Sequence, residues 1–219
     1  MDVMPDPSKL APDRAVAQAA RASTVHGWTG TYTTGLKSPE EDHKLLQYLW
    51  RNGHHSPWEM VELKFHVKAP LMVIRQWQRH RTWNFNEMSG RYQEYQEEFY
   101  VPEPEQWRRQ DPKNKQSSST EHLKGFYTDA LLDNLQAAME YYHWALEDGV
   151  AREQARLFLP AFALYSEMYA KVDLRNLLHF LKERSHPDAQ WEMQEYANAI
   201  KSILKEVVPW TYELAFGKN

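Results

Sequence analysis

Residues Val61-Glu62-Leu63-Lys64-Phe65-His66-Val67-Lys68 alternate apolar and polar side chains without a break. Successive side chains of a strand point to opposite faces, so this stretch predicts a strand with one dry face and one wet face. Ala69-Pro70 follows, and Leu71-Met72-Val73-Ile74 continues apolar. Proline is tolerated in a first helical turn, so a helix is expected from here into Arg79-His80-Arg81. A weaker alternation over Leu164 to Val172 predicts a second strand. Around these strands the chain reads mostly as helix. Asp13 to Ser23 is alanine-rich. Ser38-Pro39-Glu40-Glu41 combines an N-cap, a proline in the first turn and a capping-box glutamate, and its helix stops at Gly53. Few strands with helices before and after them predict an α+β fold, a small mixed or antiparallel sheet flanked by helices.

Other segments complete the expectation. Residues 1–12 carry three prolines and read as an arm. Asn84 to Gly90 reads as a loop, and Arg91 to Tyr100 as extended chain. Pro112 to Ser119 reads as a polar surface linker. Ser118-Ser119-Thr120-Glu121 reads as the start of a long helix reaching Asp148-Gly149, and a shorter helix ends before Pro160. Asp173 is expected to cap a helix through Arg184, and Asp188 another through Val207. With 219 residues and 42% hydrophobic content, one domain over residues 1–219 is the default.

Composition narrows the chemistry. The net charge is −4, so nucleic acid is not expected as the main partner. No apolar run is long enough for a membrane span, and no signal-peptide pattern occurs, so a cytoplasmic protein is expected. The chain contains no cysteine. That excludes disulfides, thiolate metal sites and a cysteine nucleophile. No His-Glu-x-x-His spacing and no acidic cluster accompany the histidines, so no metal is expected.

Positive charge is concentrated locally, in Arg79-His80-Arg81-Thr82-Trp83-Asn84-Phe85-Asn86-Glu87-Met88-Ser89-Gly90-Arg91-Tyr92. On a continuing helix, Arg75 and Arg79 would share a face, as would Gln76 and His80. Like charges at that spacing repel by about 0.2–0.5 kcal/mol, which an anionic ligand would offset. Arginine forks match phosphate bidentately, so a phosphate-bearing ligand is the first expectation. Trp77, Trp83 and Phe85 interleave with the cations and argue for a half-buried site. Ser89 lacks a Gly-x-Ser-x-Gly context, so it reads as a phosphate ligand and not as a nucleophile.

This stretch resembles the signature of the flavin-dependent thymidylate synthases. That signature reads Arg-His-Arg, two residues, Ser, one residue, Asn-Glu, one residue, Ser, one residue, Arg-Tyr. Arg79, His80, Arg81, Asn86, Glu87, Ser89, Arg91 and Tyr92 match, and Asn84 replaces the first serine. Further blocks resemble family segments: Gly53-His54-His55-Ser56-Pro57-Trp58-Glu59, Ala155-Arg156-Leu157-Phe158-Leu159-Pro160, Asp173 to Leu181, and Arg184 with Ala189-Gln190-Trp191-Glu192. Asp173 stands where the family often has Asn, and Asp188 where it usually has His.

The resemblance implies an enzyme that converts dUMP to dTMP, with methylenetetrahydrofolate as one-carbon donor and NADPH reducing through FAD. It implies FAD contacts from Ser56, Arg79, His80, Arg81, Glu87, Asp173, Arg175 and His179. It implies dUMP contacts from Gln76, Arg79, Glu87, Ser89, Gly90, Arg91, Arg156 and Arg184. His54 and Tyr92 become candidates for folate or nicotinamide, and Arg184 for activating the uracil ring. A homotetramer with sites shared between subunits is implied as well. The rival reading is a nucleotide- or nucleic-acid-binding module without catalysis. A purified catalyst would be yellow, a binding module colourless.

Overall fold

The computed structural model describes residues 11–22 and 37–217. The expected arm lies outside these residues up to position 10. Helix α1, Ala11–Arg21, begins within the last two residues assigned to it. The chain folds as two compact units. The first holds the described residues up to Leu63, Lys171–His186 and those from Gln194 onward; the second holds Lys64–Ala170 and Pro187–Met193.

The first unit is helical. It contains α1, α2 (Pro39–Arg51), a 3-10 turn at Ser56–Met60, α6 (Leu174–Arg184), most of α7 (Trp191–Val207) and α8 (Pro209–Phe216). Ser38 closes the expected capping box: its Oγ accepts from the Glu41 N–H at 3.3 Å and its N–H donates to Glu41 Oε2 at 3.2 Å. Gly53 ends α2 with φ +71°, a conformation that costs a side-chain-bearing residue about 1–2 kcal/mol. Leu46, Trp58, Leu174, Leu177, Phe180 and Leu181 are fully buried in this core. Two aspartates are buried with them. Asp42 pairs with Arg14 at 2.9 Å and with Arg21. Asp13 accepts from the N–H groups of Trp210 and Thr211 at 2.9 and 3.1 Å. Charged groups survive burial only when partnered in this way. Asp173 caps α6 as expected, accepting from the Asn176 N–H at 2.9 Å.

The second unit holds the larger parts of β1 (Glu62–Pro70) and β5 (Tyr165–Asp173), with β2 (Asn84–Glu87), in the order β1-β5-β2. Leu174 N–H bonds Val61 C=O and Leu71 N–H bonds Leu164 C=O. Advancing along β1 therefore means retreating along β5, an antiparallel pair. On its wet face the His66 and Tyr169 rings stack at 4.7 Å, and His66 Nε2 lies 2.9 Å from Glu167 Oε2. The predicted solvent placement of His66 is what the pleat gives. The unit also contains α4 (Tyr127–Glu147), α5 (Arg152–Ala155) and the hairpin β3–β4, Arg108–Gln110 with Ser118–His122.

Five expectations are corrected. The strand continues to Pro70, and α3 covers only Leu71–Trp77. The segment just before β5 holds α3's first amides, Leu71 N–H to Leu164 C=O at 2.9 Å and Met72 N–H to Phe162 C=O at 3.2 Å. The Arg79 N–H then turns back to the Gln76 C=O at 3.2 Å, so Arg75 and Arg79 do not share a helix face. Asn84–Glu87 is an edge strand rather than a loop, and Met88 N–H continues its pairing to Glu167 C=O at 2.8 Å. Ser118-Ser119-Thr120-Glu121 opens no helix. It lies in β4, paired antiparallel with β3, and His122 is in that strand rather than on a helix. Asp111 turns the hairpin by accepting from the N–H groups of Lys113 and Asn114 at 2.7 and 2.9 Å, so the supposed linker is built structure. A helix capped at Asp188 would begin at Ala189, whereas α7 begins at Trp191. Helix α8 was not anticipated.

Candidate active site

The candidate residues divide between the units. In the first unit, Arg175, His179 and Lys182 line a cavity of about 680 Å3. They fall at i, i+4 and i+7 on α6, so one helix face presents all three. Trp50, His55, Trp58 and Phe216 supply flat walls. His55 stacks on Trp50 at 4.5 Å, and Trp58 meets the Trp50 ring edge-on at 5.5 Å. Glu59 pairs with Arg175. The cavity thus carries two fixed cations against one carboxylate, with aromatic faces beside them. Such a lining suits an anion that also bears flat rings.

His55, not His54, stands in that wall; His54 is exposed in the turn after α2. Ser56 opens the 3-10 turn that carries Trp58 and Glu59. Asp173 does not line the cavity. Its second oxygen accepts from Asn176 Nδ2 at 2.6 Å, so it fixes the start of α6 and the side chain of Asn176, which does line it. Arg184 ends α6, and burial pushes its guanidinium below its ordinary value, with Glu183 opposing.

In the second unit, Gln76 on α3 lines a cavity of about 490 Å3. Among the described residues, its buried Oε1 has no hydrogen-bond partner. Opposite elements supply Arg108 on β3, Tyr100, and Gln190 and Glu192 around the start of α7. Arg108 donates to Glu192 Oε1 at 2.7 Å, Tyr100 donates to the same oxygen at 3.0 Å, and Gln190 donates to Oε2 at 2.9 Å. Burial alone would push the Glu192 carboxyl up. The bonds from Arg108, its own backbone N–H and Gln190 outweigh that and hold it below the usual carboxylate range. Burial pushes the Tyr100 phenol up, and the Glu192 carboxylate beside it adds to the effect.

The arginine-rich stretch lies in the same unit. Glu87 accepts from Gln78 Nε2 at 3.2 Å and from Ser166 Oγ at 3.0 Å, which fixes both carboxylate oxygens. Arg79 and Arg81 are exposed in the turn after α3, with half-buried His80 between them. Ser89 Oγ accepts from the Arg91 N–H at 3.3 Å, and the Ser89 carbonyl accepts from the Tyr92 N–H at 3.1 Å, forming a tight turn. Gly90 is buried within it, and a Cβ there would run into the Tyr95 ring. Arg91 lies 3.4 Å from the Glu153 carboxylate, and Arg156 Nε donates to the Glu153 carbonyl at 3.2 Å. Residues 65 apart in sequence therefore converge on Glu153. Tyr92 joins Arg91 and Glu153 around a smaller opening of about 330 Å3.

Sequence reasoning missed His55, Lys182, Arg108 and Glu192 as cavity residues. The i, i+4, i+7 spacing from Arg175 could have found Lys182. Nothing in the sequence near Arg108 signals the pairing with Glu192, which depends on the hairpin. Among the described residues, no group of three His, Asp or Glu side chains could hold a metal ion, and no helix is long and apolar enough to cross a membrane.

Comparison with known proteins bears on these sites. Residues 8–210 match the family model described as thymidylate synthase complementing protein. A flavin-dependent thymidylate synthase of Thermus thermophilus is 50% identical over 201 residues, covering 92% of this chain and 70% of the relative. One from Thermosipho africanus is 42% identical over 204 residues, covering 92% of this chain and 85% of the relative. The solved structure of the UMP/dUMP methylase PolB from Streptomyces cacaoi, bound with 5-Br dUMP, superposes with a TM-score of 0.77 at 34% identity. It covers 94% of this chain and 91% of that one. On this evidence the chain is an enzyme and belongs to the flavin-dependent thymidylate synthase family.

Proposed function

We propose that the protein converts dUMP to dTMP, taking one carbon from methylenetetrahydrofolate and electrons from NADPH through FAD. The observation that carries the reading is the buried Oε1 of Gln76 in the second-unit cavity, unpartnered among the described residues. An unpaired buried acceptor costs about 1–3 kcal/mol, so a ligand that donates an N–H there is favoured. The imide of uracil is such a donor. Arg108 and Glu192 neutralise each other in the same cavity, which suits an uncharged ring. The phosphate and sugar then fall to Arg79, Ser89, Gly90, Arg91 and Arg156, with Glu87 beside them. The solved relative PolB, named as a UMP/dUMP methylase, supports this choice of substrate.

The first-unit cavity fits FAD by its donor set. Arg175, His179 and Lys182 match a diphosphate, and Trp50, His55, Trp58 and Phe216 match flat rings. Ser56 and Asp173 support that cavity. The family resemblance adds Arg79, His80, Arg81 and Glu87 to the flavin contacts and spreads each site over several copies in a homotetramer. When bound, the flavin supplies hydride.

The chain's own residues bind, orient and polarise. With no cysteine present, C5 of uracil becomes nucleophilic only if the ring gains electron density. Arg184 is assigned that task, because a cation beside the ring stabilises negative charge building on its carbonyl oxygens while the imide keeps its N–H on Gln76. A guanidinium keeps its charge despite partial burial. His54 and Tyr92 are proposed for folate or nicotinamide. Both are exposed, as a site that exchanges co-substrates requires. Equilibrium dialysis against FAD tests the reading. Stoichiometric uptake by a yellow protein that sediments as four chains is expected, and a folded protein that takes up no FAD would overturn it.

A further inference from the structure

Arg108 makes more contacts than a wall residue needs. Its Nη2 donates to Glu192 at 2.7 Å, its Nε to Ser118 Oγ at 2.9 Å, and its Nη1 to the Gln106 carbonyl at 3.3 Å. Its guanidinium carbon lies 5.1 Å from the centre of the Trp191 ring. One planar fork therefore joins strand β4, the turn before β3 and the start of α7. A lysine, with a single ammonium, could not hold three such directions at once. Glu192 is fixed in turn by Tyr100 and Gln190. Its side chain is 9% exposed and that of Arg108 is 17% exposed, so solvent screens the pair little. The elements so joined form the wall of the cavity that Gln76 also lines.

We infer that Arg108, braced by Glu192, Tyr100 and Trp191, is a positioning residue that sets the depth at which the pyrimidine ring meets Gln76. This rests on the placement of uracil in that cavity. The pair is mutually neutralised, so Arg108 adds no net charge to draw the phosphate. Its effect runs through the geometry of the wall. A contact of this kind contributes equally to ground state and transition state, and its loss appears in KM more than in kcat.

The test combines four variants of the FAD-loaded enzyme: Arg108→Met, Arg108→Lys, Gln76→Leu and the double variant Arg108→Met with Gln76→Leu. For each, KM for dUMP, kcat, FAD uptake and melting temperature are measured. Arg108→Met should raise KM for dUMP about 10-fold with kcat and FAD uptake within about twofold of wild type. Arg108→Lys should recover only part of that loss. In the Gln76→Leu background the Arg108→Met effect should shrink below about threefold, because the two residues act on one ring. A lower melting temperature with unchanged KM would make Arg108 merely structural and overturn the inference. So would full additivity with Gln76→Leu, or a fall in kcat at constant KM. If Arg108→Met does not fold, Tyr100→Phe removes one bond to Glu192 and should raise KM about threefold; an unchanged KM there overturns the inference equally. Should Gln76→Leu itself leave dUMP binding unaltered, the cavity does not hold the nucleotide, and the functional reading fails before Arg108 is at issue.

Discussion

The two cavities differ in how they treat charge. In the first unit, Arg175 and Lys182 face a single carboxylate, Glu59, among five aromatic or imidazole rings. In the second, Arg108 and Glu192 bind each other, and the group left without a partner is a neutral amide oxygen on Gln76. An excess of cations with flat walls selects an anionic ligand bearing rings. A self-neutralised wall with one open acceptor selects an uncharged hydrogen-bond donor. On the proposed reading, the flavin diphosphate takes the first kind of surface and the uracil ring the second.

The sharpest way to break this division is at Arg184. It ends α6, the helix that lines the cavity proposed for flavin, but is assigned to the uracil ring. Arg184→Lys keeps a charge and loses the planar fork. Turnover of dUMP should fall about 100-fold, while FAD affinity stays within about twofold. Equal losses in both would return Arg184 to the flavin cavity, and full activity would mean that another group activates the ring.

Ser89 sharpens the other side. Its Oγ already accepts from the Arg91 N–H, so it shapes a turn as well as offering a hydroxyl. Ser89→Ala should weaken dUMP binding by about 0.5–1.5 kcal/mol and leave measurable turnover. Complete loss of turnover with binding intact would restore Ser89 as a nucleophile.

How much of this was legible depended on whether the signal was local. The alternation from Val61 to Val67 and the caps at Ser38 and Asp173 are short-range patterns, and each appears where it was read. The misreadings share a different cause. Asn84–Glu87 is a strand only because β5 lies beside it, and Ser118–His122 only because β3 does. A Ser-Ser-Thr-Glu run satisfies a helix start and an edge strand equally well. The tertiary partner decides between them. The site followed the same rule. Arg175, His179 and Gln76 came from the family resemblance; the structure adds that the first two share one face of α6 in the first-unit cavity and that Gln76 lines the second. The Arg108–Glu192 pair spans 84 positions and left no trace in the sequence.

The smallest expected effect is one of pH. Glu192 is held below the usual carboxylate range in the folded protein. Its folded value lies beneath its unfolded one, so the stabilisation is complete above the ordinary glutamate value of about 4.3 and is lost as pH falls further. Thermal melts from pH 6 downward should therefore decline more steeply for wild type than for Glu192→Gln below about pH 4. Parallel curves would mean that the Arg108–Glu192 pair contributes nothing to the second unit's stability.

The central claim is the reaction itself, and dTMP formation tests it most directly. Purified protein is incubated with dUMP, methylenetetrahydrofolate, NADPH and FAD, and dTMP is quantified by chromatography, with each component omitted in turn. The account predicts dTMP only when all four are present. Folded, FAD-loaded protein that binds dUMP but yields no dTMP under complete conditions would contradict it.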